Sequence, residues 1–343
     1  MRKSALIAMS GGVDSSVAAY LTREAGYACA GAMMRLYGEA DDADARAVAA
    51  RLGIPFTVFD FTEDFGEAVL TPFAAAYAEG RTPNPCVLCN RFLKFGALLD
   101  RARETGMDAV ATGHYARAGF DAGSGRWLLK KGLDADKDQS YVLYGLSQEQ
   151  LRRVLLPLGE LRKDEVRRIA REQGFRNAEK GESQDICFVP DGDYAAFIER
   201  FTGRACAPGR FVDGAGDDLG EHKGLIRYTV GQRRGLGVSA PERLYVLETR
   251  PADNTVVLGA ERELYTDTLT AKDINLIALD RIEGGLRVKA KVRYRQRERD
   301  AVATQPDENT LRLRFAEPQR AVTPGQAVVL YDGDLVLGGG TII

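Results

Sequence analysis

Short apolar runs alternate with segments of helical periodicity along the first 112 residues. The apolar runs predict strands at residues 5–10, 29–34, 56–60 and 108–112. The periodic segments predict helices at residues 13–24, 42–52, 62–79 and 91–105. This order is typical of a doubly wound α/β fold with a parallel sheet, in which ligands bind beyond the carboxyl ends of the strands.

The pattern of the second half of the chain is different. Residues 147–174 retain helical periodicity, but after Pro208 short β-type runs and Gly-rich turns take over. These runs are residues 245–249, 255–258, 286–294, 311–315, 327–331 and 335–337. They predict a small β-rich central domain and a C-terminal β-barrel. We predict three domains, with the bounds 1–204, 205–264 and 265–343.

Composition narrows the class of protein. The chain has 343 residues, of which 45% are hydrophobic and 28% charged, as in soluble globular proteins. No apolar run is long enough to span a bilayer, and the N-terminus leads directly into a strand, so we expect a cytoplasmic protein without a signal peptide. Five cysteines, an odd number, argue against a secreted disulfide framework. The net charge of −2 requires any nucleic-acid-binding surface to be local.

A glycine-rich turn follows the first predicted strand. Residues 10–16 read Ser-Gly-Gly-Val-Asp-Ser-Ser and lead into the first predicted helix. Two adjacent glycines bring backbone N–H groups close to a ligand, and the helix N-terminus adds partial positive charge, so the turn suits a pyrophosphate. The Walker pattern is absent from the sequence. The motif resembles the PP-loop of ATP pyrophosphatases, which implies cleavage of ATP between its α and β phosphates. The alternative is a glycine turn with an Asp helix cap.

Three cysteines form a second candidate site. Cys86 and Cys89 lie in a proline-stiffened loop, where a predicted helix N-terminus would favour the Cys89 thiolate. Cys187 lies in the segment Glu-Ser-Gln-Asp-Ile-Cys-Phe. Structural zinc prefers four N or S ligands, and the chain has only two histidines. An iron–sulfur cluster with an open iron and a nucleophile paired with a sulfur-carrying thiol remain as alternatives.

A one-sign stripe of charge runs near the C-terminus. If residues 289–299 form one strand, alternation places six cations on one face: Lys289, Lys291, Arg293, Arg295, Arg297 and Arg299. Such a stripe favours a phosphate backbone as its partner, although an ordinary exposed strand face is the alternative.

Taken together, several motifs resemble one family, the bacterial tRNA-specific 2-thiouridylases. They occur in the family's order: Ser-Gly-Gly-Val-Asp-Ser-Ser, Pro-Asn-Pro-x-x-x-Cys-Asn, Ala-Thr-Gly-His-Tyr, Lys-Asp-Gln-Ser-Tyr, the Cys-Phe pair at Cys187, and Tyr-Thr-Val-Gly-Gln-Arg-Arg-Gly-Leu-Gly. The resemblance covers nearly the whole chain, and it implies a PP-loop catalytic domain followed by two β-rich domains.

The resemblance also implies site residues. Those expected to bind ATP are Ala8, Met9, Ser10, Gly11, Gly12, Val13, Asp14, Ser15, Met34 and Gly113. Those expected to face the target base are Asn84, Pro85 and Cys86. Those expected to contact tRNA are His114, Lys137, Asp138, Gln139, Arg293, Tyr294 and Gln326. Cys89 matches the family nucleophile, and Cys187 matches the cysteine that carries a persulfide.

The implied activity is ATP- and Mg²⁺-dependent 2-thiolation of uridine 34 in lysine, glutamate and glutamine tRNAs. O2 of the base is adenylated, and a cysteine desulfurase or persulfide carrier supplies sulfur. Many family members have Asp where this chain has Cys86, so Cys86, Cys89 and Cys187 are also candidate ligands of a [4Fe–4S] cluster. The rival interpretations are another PP-loop adenylating enzyme and a non-catalytic RNA-binding iron–sulfur module.

Overall fold

A parallel five-stranded sheet organises the first half of the chain. The computed structural model describes residues 3–38, 41–181 and 186–343. Across the sheet the strands are, in order, Phe56–Asp60, Ala28–Arg35, Ser4–Ala8, Ala109–Ala111 and Val154–Leu155. The chain moves outward in one direction from the central Ser4–Ala8 strand and then returns to its other side at Ala109–Ala111. This reversal is the topological switch point, where open α/β sheets bind ligands.

Helices cover both faces of this sheet. Val13–Glu24 has the bounds predicted from its periodicity, and Ala43–Leu52 follows the second strand. The predicted helix at residues 62–79 consists of three consecutive segments, in which a π-helical turn at Gly66–Leu70 separates Thr62–Phe65 from Thr71–Ala78. The remaining helices are Leu98–Glu104, Ser140–Leu143, Gln148–Arg152, Lys163–Glu172 and Tyr194–Thr202.

The helix that carries the cysteines begins earlier than its periodicity indicated. The prediction of a start at residue 91 is wrong, because the helix begins with Pro85–Leu88 and continues through a π-helical segment, Cys89–Ala97. Pro85 occupies the first turn, where a missing N–H costs nothing. The Asn84 side chain accepts a hydrogen bond from the Cys86 N–H at 3.1 Å and caps this turn.

Two β elements of the first half were not predicted. Val154–Leu155 interrupts the segment predicted as helical and extends the parallel sheet. Ala116–Asp121 and Arg126–Lys131 form a hairpin, which pairs through Lys130 and Leu335 with the last strand of the C-terminal barrel. The first domain and the barrel therefore share a continuous sheet.

The second half consists of β structure, as predicted. The central sheet has, in order, the strands Tyr245–Arg250, Thr255–Gly259, Gly209–Val212 and Asp218–His222. The barrel strands are Tyr265–Leu276, Leu286–Lys291, Arg299–Asp307, Thr310–Arg320, Ala327–Asp332 and Leu335–Ile342. Pairing of the first with the last, Ala271 opposite Ile342, closes the barrel. The predicted fold class, a doubly wound parallel sheet followed by two β-rich parts, is confirmed.

The predicted stripe of basic residues is wrong. The strand ends at Lys291, residues 292–298 form a turn, and the next strand begins at Arg299. Val292 still faces the barrel core, as Val288 and Ala290 do, but the turn that follows breaks the alternation that would have kept Arg295, Arg297 and Arg299 on one face with the lysines. Lys289 pairs with Asp300, and Lys291 points towards Asp138 in the first domain.

Candidate active site

The glycine-rich turn lies at the switch point of the sheet. Gly11 has φ +76°, a conformation that glycine adopts readily, and Gly12 is the N-cap of the Val13–Glu24 helix. The Ser15 and Ser16 hydroxyls donate to the Gly12 carbonyl at 3.0 and 2.9 Å. These bonds hold the turn in place and leave the first N–H groups of a 12-residue helix at its open end.

The carboxyl end of the Ala109–Ala111 strand, on the other side of the switch point, is packed against this turn. A Cβ placed on Gly113 would lie 2.8 Å from both the Asp14 carbonyl carbon and the Ser15 nitrogen, so only glycine allows the approach. Residues 112–114, which follow the Ala109–Ala111 strand, therefore lie directly beside the glycine turn.

Three residues that the sequence analysis did not single out support the glycine-rich turn. Lys163 Nζ lies 2.7 and 2.8 Å from the two carboxylate oxygens of Asp14, and the Tyr115 hydroxyl donates to one of them at 2.7 Å. Buried Asn177 donates to the Gly11 carbonyl and the Ser16 hydroxyl, both at 2.9 Å. Lys163 lies 149 residues from Asp14, and its position as the first residue of a helix gives no sign of this role.

A second carboxylate lies close to the turn. A Cβ on Gly11 would lie 3.4 Å from the Asp44 Cβ. Asp44 pairs with Arg176 at 2.9 Å and Lys180 at 2.8 Å, and the hydrogen bond from Lys180 is the main reason that its pKa is lowered. The neighbourhood of the turn thus contains two carboxylates, each already paired with cations.

The three cysteines predicted as a group act on one another electrostatically. Cys86 and Cys187 are exposed, Cys89 is buried, and residues 182–185 of the Cys187 motif lie outside the described residues. Burial raises the pKa of Cys89 to about 11, and the charges of Cys187 and Cys86 add to this effect. Cys86 and Cys187 keep exposed atoms, but protein surrounds their thiols on most sides, and this desolvation is the main cause of their raised pKa.

The prediction that the helix N-terminus favours the Cys89 thiolate is therefore wrong for this conformation. The helix starts four residues earlier, so Cys89 lies in its second turn, and burial outweighs the dipole. Lys94 is the cation that opposes this shift, since its charge lowers the pKa of all three thiols. Sequence reasoning missed Lys94, although its position one turn beyond Cys89 was a usable signal.

The spacing of the thiols bears on whether they could bind a metal ion or an iron–sulfur cluster. Within residues 3–38, 41–181 and 186–343, no three His, Cys, Asp or Glu side chains are spaced to hold a metal ion. The three cysteines thus do not fit a cluster in this conformation.

The barrel reaches this cysteine site through Tyr294. Its side chain is about one-third exposed, and its ring centroid lies 5.9 Å from that of Tyr141 in the first domain. Burial is the largest cause of the raised pKa of Tyr294, and the charges of Asp138 and Cys86 raise it further. Tyr141 belongs to the Ser140–Leu143 helix, which contacts the Pro85–Leu88 helix that carries Cys86, so Tyr294 reaches the neighbourhood of a residue 208 positions away.

Other predicted tRNA-contacting residues mostly face inward. His114 is buried, its Nδ1 lies 2.8 Å from the Thr112 hydroxyl, and burial holds its pKa well below the usual value. Asp138 accepts hydrogen bonds from the Gly132 and Ser140 N–H groups, and Gln139 accepts one from Tyr115. Lys137 lies on the same turn.

Arg293 and Gln326 of the barrel also contact protein. Arg293 donates to the Ala321 carbonyl and to the Thr323 hydroxyl. Gln326 donates to the Thr82 carbonyl at 2.8 Å. Met34, predicted to line the nucleotide, lies near the carboxyl end of the Ala28–Arg35 strand and is partly buried.

Family models match almost the whole chain. The model described as a tRNA methyl transferase HUP domain matches residues 3–191. A tRNA methyl transferase PRC-barrel domain matches residues 195–260, and an aminomethyltransferase beta-barrel domain matches residues 266–342. The tRNA-specific 2-thiouridylase MnmA of Acetivibrio thermocellus is 48% identical, with 99% of each chain covered. The Clostridioides difficile protein of the same name is 46% identical and covers all of this chain and 98% of its own. The chain belongs to the tRNA-specific 2-thiouridylase family.

Among solved structures, a 4-thiouridine synthetase–RNA complex with bound ATP is 17% identical and has a TM-score of 0.39, covering 59% of this chain and 50% of its own. None of the helices in the described part of the chain has the length and apolar character needed to cross a membrane.

Proposed function

We propose that this member of the 2-thiouridylase family is an ATP-dependent tRNA-uridine 2-sulfurtransferase acting on uridine 34 of lysine, glutamate and glutamine tRNAs. In this proposal residues 1–204 carry the ATP site and the thiols, residues 205–264 form a bridging domain, and residues 265–343 dock tRNA in the cytoplasm. A single observation carries it: the pyrophosphate-type turn and the thiol group are neighbours. The Phe95 ring, on the helix segment that contains Cys89, lies 6.0 Å from the His114 ring, and Gly113, the residue before His114, packs against Asp14 and Ser15 of the turn.

The turn would bind ATP through residues 8–15, with Met34 and Gly113 beside the nucleotide. Backbone N–H groups at the helix start would hold the β and γ phosphates, which leave as pyrophosphate when uracil O2 attacks the α-phosphorus. Lys163, held beside Asp14, would supply positive charge where negative charge develops. The result is an adenylated O2 that can later leave with AMP.

The donor set of the turn also fits Mg²⁺. The Asp14 carboxylate accepts three hydrogen bonds, and a carboxylate has about four lone-pair positions, so one remains for a metal. Mg²⁺ typically binds one or two carboxylates together with substrate phosphates. Mg²⁺ bound there would neutralise charge on the leaving pyrophosphate.

Sulfur would move through the two family cysteines. A persulfide donor, such as a cysteine desulfurase or a carrier protein, transfers its terminal sulfur to Cys187 as the donor's own thiolate leaves. That terminal sulfur attacks C2 of the adenylated base. Cys89 then attacks the Cys187 sulfur, so the persulfide S–S bond breaks, its electron pair stays with the sulfur on C2, and AMP departs with O2. The resulting Cys89–Cys187 disulfide is reopened by an external thiol.

Raised thiol pKa values are compatible with this order of events. At neutral pH Cys89 is protonated and unreactive, so it does not resolve the persulfide before the base is in place. Lys94 is the available cation to stabilise the thiolates once they form.

A direct test uses unmodified lysine tRNA transcript, radiolabelled ATP and a persulfide donor. We expect pyrophosphate release to depend on tRNA and 2-thiouridine to form in equal amount with AMP. Release that depends on an amino acid instead would favour another PP-loop adenylating enzyme. A chain that binds tRNA but not ATP would favour the non-catalytic module.

A further inference from the structure

The loop that leads to Cys86 is held by the other two domains. The Thr82 N–H donates to the Pro324 carbonyl at 2.8 Å, and the Thr82 carbonyl accepts from Gln326 Nε2 at 2.8 Å. The Thr82 hydroxyl lies 3.3 Å from the hydroxyl of Thr229 in the central domain. Both backbone polar groups of this one residue are thus satisfied by the barrel.

The barrel turn is shaped for this contact. Gly325 has φ +90°, and a Cβ there would lie 2.9–3.0 Å from the nitrogen and carbonyl atoms of Thr82. Gln326 is anchored within the barrel, because its N–H donates to Thr323 and its carbonyl accepts from Ile342. Its side chain therefore reaches the loop from a fixed backbone.

Arg293 holds the same turn from behind. Its guanidinium donates to the Ala321 carbonyl and to the Thr323 hydroxyl, 3.2 Å away. Thr323 is 3% exposed, and its hydroxyl donates to the Ala321 carbonyl at 2.9 Å. These bonds fix the conformation of the residues that immediately precede Pro324.

The stretch between Thr82 and the first thiol is short and stiff. Only Pro83, Asn84 and Pro85 intervene before Cys86, and each proline ring fixes one φ angle. The Asn84 side chain caps the Cys86 N–H. A shift at Thr82 is therefore passed to Cys86 rather than absorbed along the way.

We propose that Gln326 and Arg293 are positioning residues, which set the placement of the Cys86–Cys89 helix start through Thr82. Gln326 acts on the loop directly, and Arg293 acts through the turn at residues 321–325. The barrel thus completes the geometry of the thiol site before any RNA is bound.

The test measures cysteine alkylation in the full-length protein without tRNA or ATP. Iodoacetamide labelling of each cysteine is measured by peptide mass spectrometry in the wild type and in Gln326→Glu. This substitution replaces the side-chain N–H that donates to the Thr82 carbonyl with an acceptor oxygen. We expect Cys89 labelling to rise about fivefold or more, the equilibrium effect of one lost hydrogen bond on local opening. Cys206 labelling should remain unchanged.

The matched control is Gln305→Ala. Gln305 is likewise a barrel glutamine whose side chain bonds to a backbone group, but it accepts from the Ile282 N–H at 2.9 Å and lies on the Arg299–Asp307 strand. Cysteine labelling in Gln305→Ala should match that in the wild type. Equal acceleration in both variants would mean general loosening of the barrel and would overturn the proposal.

A second variant covers the case in which Gln326→Glu does not fold. Arg293→Met keeps a long aliphatic side chain but removes the guanidinium nitrogen that donates to both Ala321 and Thr323, so we expect about a twofold rise in Cys89 labelling. Wild-type labelling in a folded variant, together with weaker tRNA binding, would identify these residues as RNA contacts only and refute the positioning role. Because labelling requires neither ATP nor sulfur transfer, the result is independent of the proposed activity. With active enzyme, a positioning role lowers kcat while the tRNA Kd stays constant.

Discussion

The glycine turn and the cysteine site are built in different ways. The turn is a contiguous heptapeptide in which Ser10, Gly12, Ser15 and Ser16 bond to one another, and the distant side chains of Lys163, Tyr115 and Asn177 brace it from outside. The cysteine site combines a helix start at residue 85, a thiol at residue 187 and barrel residues at 294 and 326. Local backbone chemistry builds the first, whereas packing between distant segments builds the second. Disturbing a distant residue should therefore affect the second site more than the first.

The largest expected effect separates the three cysteines. Cys89→Ser and Cys187→Ser should each reduce 2-thiouridine formation by about 10⁴-fold or more, the scale seen when a nucleophile is removed. Pyrophosphate release should persist, because the glycine turn does not depend on either thiol. Cys86→Ser should retain activity within about threefold, as expected for a neighbouring residue that does not carry the transferred sulfur.

The same cysteine variants decide between the persulfide and cluster chemistries. Protein purified without oxygen is analysed for iron, sulfide and visible absorbance. A coloured, iron-containing protein that loses both colour and activity in Cys86→Ser would contradict the persulfide route. Cys86→Asp, which restores the residue common in the family, serves as the conservative control.

The next effect concerns the carboxylate of the turn. Asp14→Ala should lower tRNA-dependent pyrophosphate release by about 10²–10³-fold, because it removes the partner of Lys163 and the carboxylate that we propose to bind Mg²⁺. The tRNA Kd should change little, since Asp14 lies in the first domain, away from the barrel. Asp44→Asn is the matched control at a carboxylate beside the turn, and a parallel loss of tRNA binding in Asp14→Ala would indicate misfolding.

A smaller effect concerns the pH dependence of Cys89. Its pKa of about 11 means that the reactive thiolate is the minor form at neutral pH, so its alkylation rate should rise about tenfold per pH unit up to that value. Removing the nearby cation in Lys94→Met should raise the pKa further and slow labelling at any given pH below it. A rate that levels off below pH 9 would show that Cys89 is not buried in solution as it is here.

The smallest effect concerns the turn that replaced the predicted basic strand. Arg295 is exposed there, so Arg295→Ala should weaken tRNA binding and lower the log–log salt slope by about 0.7–0.9, without changing cysteine labelling. Arg293→Ala, two residues away, should instead raise Cys89 labelling and leave the tRNA Kd nearly unchanged, because Arg293 contacts the turn at residues 321–325. Identical behaviour of the two variants would remove the distinction between RNA contact and loop positioning.

The sequence by itself was sufficient for the elements and motifs whose signals are local. Val13–Glu24 and Phe56–Asp60 have the predicted bounds, because side-chain periodicity and turn residues specify them within a few positions. The glycine turn was predicted together with its place at a strand end. Its ligand class follows from backbone N–H groups, which require no distant partner.

Tertiary structure alone decided which distant groups meet. The Lys163–Asp14 pair, the Gln326–Thr82 contact and the Tyr294–Cys86 neighbourhood join residues more than 100 positions apart. The basic run at 289–299 shows the limit most plainly, since alternation holds only while the strand continues. The strand ends at Lys291, and beyond it Arg293 bonds to Ala321 and Thr323 of the turn that contacts Thr82. Side-chain periodicity carries no information about such a packing choice, because it depends on the surface that another segment presents.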